Sequence, residues 1–194
     1  MSFSVSSRSL EGEGDGSSST GSMPESFSLF IWTEDAAGNE SLYVDNMVFT
    51  LSGSSYTTSD GIHPVWKDLD STHLFVAVSP AFDPDVTVEG NTAVGITANT
   101  DILYATAESV ATNDPIAITF DHLLARIETP EITKKASVEG ETLVSVKLSA
   151  KNADTLDVRS GAITSSSELQ VIDVTSNPVY IPAQTLDAFT ISLS

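Results

Sequence analysis

Short runs of alternating apolar and polar residues, each cut off by turn-forming residues, recur along the whole chain. Segment 142–151, TLVSVKLSAK, is the plainest case. Val144, Val146, Leu148 and Ala150 fall on one side, and Ser145, Lys147, Ser149 and Lys151 on the other. Successive side chains of a strand point to opposite faces, so this spacing predicts a half-buried strand with its aliphatic row inward. Weaker alternation groups Phe3 with Val5, Leu74 with Val76 and Val78, Val86 with Val88 (within 85–91), and Phe189 with Ile191 and Leu193. Apolar runs at 27–33, 41–51, 101–107, 115–120, 168–174 and 178–182 add further strands. Turn clusters such as EDAAGNE and SGSS separate them, at roughly the 8–12-residue spacing of a β-sandwich. The pattern predicts an all-β protein.

Two stretches break the rhythm. SLEGEGDGSSSTGSMPES, residues 9–26, is Gly, Ser and acid with no core residue, and predicts a flexible loop. Phe120, Leu123, Leu124 and Ile127 sit at the i, i+3, i+4 and i+7 positions of an amphipathic helix. As a strand, Leu123, Ala125 and Ile127 alternate instead, with a change of face near His122 that needs a bulge. The pattern leaves both open. The polar cluster ESVATNDP, 108–115, is the best domain boundary. It predicts an N-terminal sandwich over residues 1–112 and a C-terminal one over 113–194.

Composition narrows the function. With 40% hydrophobic residues in 194, the chain can bury a core. Against 27 Asp and Glu stand only 8 Lys and Arg, a net charge of −19. Such a surface repels phosphate, which rules out nucleic acid as a partner and, by the same sign, an anionic membrane surface. The absence of cysteine removes disulfides, thiolate-bound zinc and thiol catalysis. No stretch nears the ~20 apolar residues of a membrane span, and MSFSVSSRSL has no signal-peptide apolar region.

Candidate chemistry is sparse. His63, His73 and His122 are the three histidines, and none lies at metal-ligand spacing from another. Asp121 and His122 form a conceivable oriented base, weighed against a histidine bonded to backbone at a strand edge, which is the preferred reading. No nucleophile elbow, phosphate loop or dinucleotide fingerprint occurs. Calcium is considered at Glu34, Asp35 and Glu40, and at Asp83, Asp85 and Glu89; neither set follows the alternating-ligand pattern of an EF-hand, and solvated turns are preferred. Trp32 and Trp66 could stack on a sugar, but their apolar neighbours favour core packing. No cofactor, catalytic residue or metal site is predicted.

A family resemblance adds to this. Asp101, Leu103, Tyr104 and Ala105, followed after a linker and strand by Phe120, His122, Leu124, Ala125, Arg126 and Ile127, resemble the signature of fimbrillin-like proteins, the type V pilus subunits of Bacteroidales. SFSVSSRS (2–9), Trp66 with LFVAVSP (74–80), and VYIPAQTL (179–186) resemble further family segments in the family's order. Val78–Ser79 replaces a usual aromatic, and Ala183 is an insertion in the last segment. The resemblance implies two tandem β-sandwich domains in a transthyretin-like arrangement, with PIAITFDHLLARIE opening the second, and a strand over 120–128. It implies a cell-surface pilus subunit rather than an enzyme, located at the outer membrane or in the extracellular fimbria. Partners would be other subunits, joined by strand exchange after proteolytic trimming. Phe3 and Val5 mark the candidate exchanged strand and Arg8 the candidate cleavage site. Arg126 and Arg159, in or near predicted strands, are expected to be poorly accessible. The family's lipobox cysteine is missing, so any membrane link would run through a lipid anchor outside this sequence. The family's closing-strand pattern is also missing after FTISLS, so the second domain is expected to be incomplete or to end in its own way. The alternative is a tip adhesin or surface binding module for a glycan or host protein. A secreted hydrolase is the weakest reading.

Overall fold

The structure is a computed structural model, and it describes residues 1–8, 22–128, 143–186 and 189–193. The flexible-loop expectation for 9–26 falls mainly on 9–21, outside the described residues. Those described form strands and no helix. The strands are β1 (Phe3–Ser7), β2 (Ser26–Glu34), β3 (Glu40–Ser52), β4 (Ser55–Thr57) and β5 (Thr72–Ser79). Then come β6 (Ala93–Gly95), β7 (Leu103–Ser109), β8 (Ile116–His122), β9 (Ala125–Ile127) and β10 (Leu143–Ala150). The last are β11 (Ala153–Asp157), β12 (Ile163–Ser165), β13 (Gln170–Asp173), β14 (Val179–Ile181) and β15 (Phe189–Leu193). Four sheets result: a seven-stranded one in the order β1-β8-β7-β5-β2-β3-β4, then β13-β10-β15, β12-β11-β6 and β14-β9.

Contacts divide the chain into two units. The first comprises Met1–Val94, Ile102–Leu123 and Asp157–Gly161; the second comprises Gly95–Asp101, Leu124–Leu156 and Ala162–Ser194. This corrects the boundary expected at 112/113. β8, which holds PIAITF, does not open a second domain. It pairs antiparallel with β7 and parallel with β1 inside the large sheet. The polar cluster 108–115 is simply the β7–β8 hairpin connection. The change of unit falls instead at Leu123–Leu124. Phe120 to Ile127 is therefore neither one helix nor one strand. The ladder stops at His122 and restarts at Ala125 in a different sheet.

In the first unit, β2 and β5 are buried along nearly their whole lengths. That is why 27–33 reads as a continuous apolar run: a strand covered on both faces needs no polar row. One face carries Phe27, Leu29, Ile31, Phe75 and Ala77 into a core shared with Phe49, Ala105, Ile116, Ile118 and Phe120. β1 and β3 lie five places apart in the sheet order, about 24 Å if the sheet were flat. Yet the Phe3 and Phe49 ring centroids are 5.7 Å apart. The sheet must curl over its own core, bringing its first edge back towards its last.

The other face of β2 buries Phe30 and Trp32. Trp32 is thus a core residue, capped by the Arg159 guanidinium 5.6 Å from its ring centroid. Segment 85–91 packs without forming the expected strand. Side chains take the place of a ladder there: Asn46 Nδ2 donates to the carbonyls of Asp83 and Val86, and the Asp45 carboxylate accepts from Val88 N–H.

The second unit has a smaller aliphatic core of Val146, Leu148, Ala150, Val174, Val179 and Ile181. Val144 does not join them. The β10–β15 register shifts between Leu143 and Ser145, and this bulge leaves Val144 exposed while Leu143 packs on the core. Gln184 closes the end of β10: its Oε1 accepts from Lys151 N–H, and its Nε2 donates to Lys151 C=O. One side chain thus does the work of a neighbouring strand. Ile191 is exposed, so it is not part of a buried row.

Candidate functional site

The feature that sets β1 apart is how it is held. It is an edge strand with a single ladder, and that ladder is parallel: Phe3 lies opposite Ile116, Val5 opposite Ile118 and Ser7 opposite Phe120. Ser2 C=O accepts from Ile116 N–H at 2.9 Å, and Arg8 N–H donates to Phe120 C=O at 2.9 Å, extending the pairing at both ends. Alternation then sorts the side chains. Phe3 and Val5 pack on the core, and the Phe3 ring meets Phe49 and Phe75 edge-on. Ser6 Oγ shares a hydrogen bond with Thr119 Oγ1 at 3.2 Å.

Among the described residues the far side of β1 has no strand partner. There a cleft of about 560 Å³ opens towards the other edge of the curled sheet. Phe3, Val5, Met23, Phe49, Tyr56 and His63 are among its walls. β4 is the opposite edge, and it is fixed quite differently. It joins β3 by a tight turn at Gly53, whose φ of +64° is a left-handed conformation that favours glycine. Tyr56 Oη donates to Pro24 C=O at 2.6 Å, and Leu51 N–H to Glu25 C=O at 2.8 Å, which anchors the chain entering β2.

Arg8 sits where β1 ends. Its side chain is 69% exposed and makes a 3.1 Å ion pair with Asp121. His122 Nε2 is 3.1 Å from Arg8 C=O. A carbonyl only accepts, so this ring nitrogen carries the hydrogen. Asp121 is committed to Arg8 and His122 to backbone, so the pair is not arranged as a base with its orienting acid. Arg126, at 30% side-chain exposure, lies 3.1 Å from Glu128 at an angle that gives an ion pair without a hydrogen bond. Arg159 pairs with Glu40.

The remaining signature residues are packing and joining elements. Phe120 and Leu124 are buried on either side of the change of unit, and Leu103 packs against the first unit's core. Tyr104 Oη donates to the carbonyls of Val158 and Arg159 at 3.2 and 3.3 Å, and burial pushes its phenol up to about 12. A Cβ on Gly161 would come within 2.8 Å of the Tyr104 ring, so glycine there lets the 157–161 turn lie on the tyrosine. Asp101 is partly buried. Sequence reasoning missed this turn and the strands beside it, β11 and β12. The signal was there in Arg159-Ser160-Gly161, a turn between short apolar runs.

Neither acidic loop assembles ligands. Asp35 Oδ1 accepts from the backbone of Ala37 and Asn39, while Asp83 Oδ1 accepts from Asp85 N–H. Among the described residues no three His, Cys, Asp or Glu side chains gather as a metal site. Hydrogen bonds from Asn39 hold the Asp35 carboxyl below its usual range, as expected of a capped turn. Trp66 is half-buried, with Nε1 donating to Thr112 C=O at 3.0 Å and its ring edge-on to His73 and Phe75.

An all-β chain with a curled sheet and a singly held edge strand defines the class structurally, and comparison with known proteins then places it. A family profile described as Fimbrillin-like matches residues 18–194. The chain belongs to the fimbrillin-like family. Among solved structures, it is similar to a candidate cell adhesion protein from Bacteroides thetaiotaomicron VPI-5482, with TM-score 0.54 and 17% identity over 99% of this chain and 82% of that one. It is also similar to a candidate cell adhesion protein from Bacteroides ovatus ATCC 8483, with TM-score 0.51 and 15% identity over 97% of this chain and 76% of that one. A search of curated proteins finds no match. At these identities the solved structures speak to fold alone.

Proposed function

We propose that this chain is a structural subunit of a cell-surface pilus that assembles by strand exchange after proteolytic removal of β1. The observation that carries the reading is the single parallel ladder of β1 at the sheet edge, with Phe3 and Val5 filling a groove floored by core residues. If β1 left, the β8 edge and the apolar surface under Phe3 and Val5 would be uncovered together. An extended segment with apolar residues at alternate positions restores both, through ladder hydrogen bonds and side-chain pockets. The partner in this reading is another subunit. Cleavage is assigned to the bond after Arg8, whose side chain is exposed. Two tandem sandwiches of transthyretin-like connectivity, located in the fimbria at the cell surface, complete the assignment.

Limited digestion with an arginine-specific protease, followed by mass spectrometry and size-exclusion chromatography, tests it. The expected result is one early cut after Arg8, a resistant core, loss of the 1–8 peptide and new higher oligomers. A cut core that stays monomeric once 1–8 has gone overturns strand exchange, and unfolding on cutting overturns the trimming step.

A further inference from the structure

The end of the first unit built from residues 62–70 and 107–117 carries a second surface, which meets the β1 edge at Met1, Ser2 and Ile116. Three adjoining depressions of about 190, 270 and 390 Å³ meet around Thr112, which lines all of them. Trp66 lines two, and its position is fixed by the Nε1 bond to Thr112 C=O. Large aliphatic side chains stand beside it in water: Leu69 is 77% exposed, Val65 64% and Val110 54%. Leu69 lines the first depression and Val110 the third. An exposed apolar group of this kind, rimmed by charge, marks an interaction surface.

The ionised side chains of the rim have one sign, and the Met1 ammonium beside the second depression is taken up by Pro64 C=O at 2.9 Å. Glu108 and Asp114 line the third depression, and Asp68 and Asp70 flank Leu69 in the chain. The cation of this stretch, Lys67, is turned away, with Nζ donating to the hydroxyls of Thr33 and Ser41. The loop is also set before any partner arrives. The Asp68 carboxylate accepts from Asp70 N–H, Ser71 N–H and Ser71 Oγ. Those bonds to Ser71 hold its carboxyl below the usual range, so it stays ionised at neutral pH. Preorganisation of this sort reduces the ordering cost of binding.

We infer that this ledge docks a polypeptide segment that presents large apolar side chains interleaved with Lys or Arg. Charge complementarity selects that occupant. A second copy of this chain would set two acidic rims face to face, against a net charge of −19 on each. A glycan needs an open aromatic face, whereas the ledge offers one half-buried indole whose N–H is already used. Leu69, Glu108 and Val110 lie off the β1 ladder, so the docking is tested on the intact chain with β1 in place.

The test is calorimetric binding of short synthetic peptides to the intact chain. An alternating Lys–Leu peptide should bind, and alternating Lys–Ser and Glu–Leu peptides should bind at least about tenfold more weakly, since each lacks one half of the match. Leu69→Ser with Val110→Ser should cost about tenfold for the Lys–Leu peptide without lowering the melting temperature, because both side chains are exposed. Glu108→Gln with Asp114→Asn should weaken binding and flatten its salt dependence, whereas Asp85→Asn with Glu89→Gln, the same charge change elsewhere, should not. Equal affinity for Lys–Ser and Lys–Leu would reduce the effect to bulk acidity and overturn the inference. So would unchanged binding by the Leu69/Val110 double variant. Dimerisation abolished by Leu69→Ser would overturn it too, by giving the face to a second copy.

Discussion

The two edges of the seven-stranded sheet are built for opposite ends. β4 is three residues long, hairpinned to β3, and its aromatic Tyr56 is bonded to Pro24. β1 is longer, pairs in parallel with a strand remote in sequence, and inserts Phe3 and Val5 into the core. A hairpinned edge cannot depart without unfolding its partner. A strand attached through a distant connection can depart once that connection is cut; among the described residues its ladder, its side chains and the Met1 ammonium bond to Pro64 C=O retain it. Under the proposed strand exchange, the contrast puts the difference in topology rather than in sequence composition, since both edges contain Ser and an aromatic residue.

The strongest way to break the contrast is to damage the floor that β1 rests on. Phe120→Ala removes a fully buried ring and should destabilise the first unit by about 3–5 kcal/mol in urea unfolding. Phe3→Ala removes a half-buried ring from β1 and should cost only about 1–2 kcal/mol. Equal losses at the two positions would mean that β1 is as integral as β8. At the other edge, Gly53→Ala forces a side chain into a left-handed turn and should cost about 1 kcal/mol. Its effect should appear as faster hydrogen exchange in β3 and β4 with β1 unchanged.

Acid should also separate the edges. The Asp60 carboxyl, in the loop leaving β4, is held below its usual range by the N–H of Ile62 and the hydroxyl of Thr58. A carboxyl with a lowered folded pKa contributes stability that is complete above the unfolded value of about 3.9 and is lost as pH falls through the folded value. Asp68 behaves likewise, through Ser71. Below about pH 4 the 58–71 loop should therefore loosen while β1 does not, read by hydrogen exchange at high salt so that relief of the chain's self-repulsion does not mask it. Asp60→Asn should abolish much of that pH dependence at residues 58–62.

Local alternation made most strands legible, and contacts remote in sequence explain the rest. The run at 27–33 is apolar because β2 is covered on both faces, a property of the layers and not of the strand. Segment 85–91 alternates like a strand, yet Asn46 and Asp45, some forty residues earlier, satisfy its backbone instead. Val144 keeps the right parity and still points to water, because one bulge resets the face. The domain boundary was misplaced for the same reason. A polar turn looks alike whether it links two strands of one sheet or two units, and only the pairing of β8 with β7 and β1 decides. Phe3, Val5 and Arg8 were legible as a strand and its end. The parallel partner that makes the strand an edge was not, because long-range pairing leaves no local mark.

The smallest effects concern the end of β1, and they discriminate best between an edge strand that opens and one that does not. A protease reaches the Arg8 bond only when the end of the strand lifts, so cutting tracks the population of that open form when reclosing is fast. His122 Nε2 holds Arg8 C=O, and the net worth of such a bond is about 1 kcal/mol. His122→Ala should therefore speed cutting about fivefold. Asp121→Asn removes the other tie to the same residue, but its ion pair joins side chains that are 52% and 69% exposed. Exposed pairs contribute ~0–1 kcal/mol and are screened by salt, so at physiological ionic strength the rate should change by less than about twofold. If Asp121→Asn instead speeds cutting as much as His122→Ala, the side chain of Arg8 is what restrains the strand end. The restraint would then weaken with added salt, which the hydrogen bond to the carbonyl should not do.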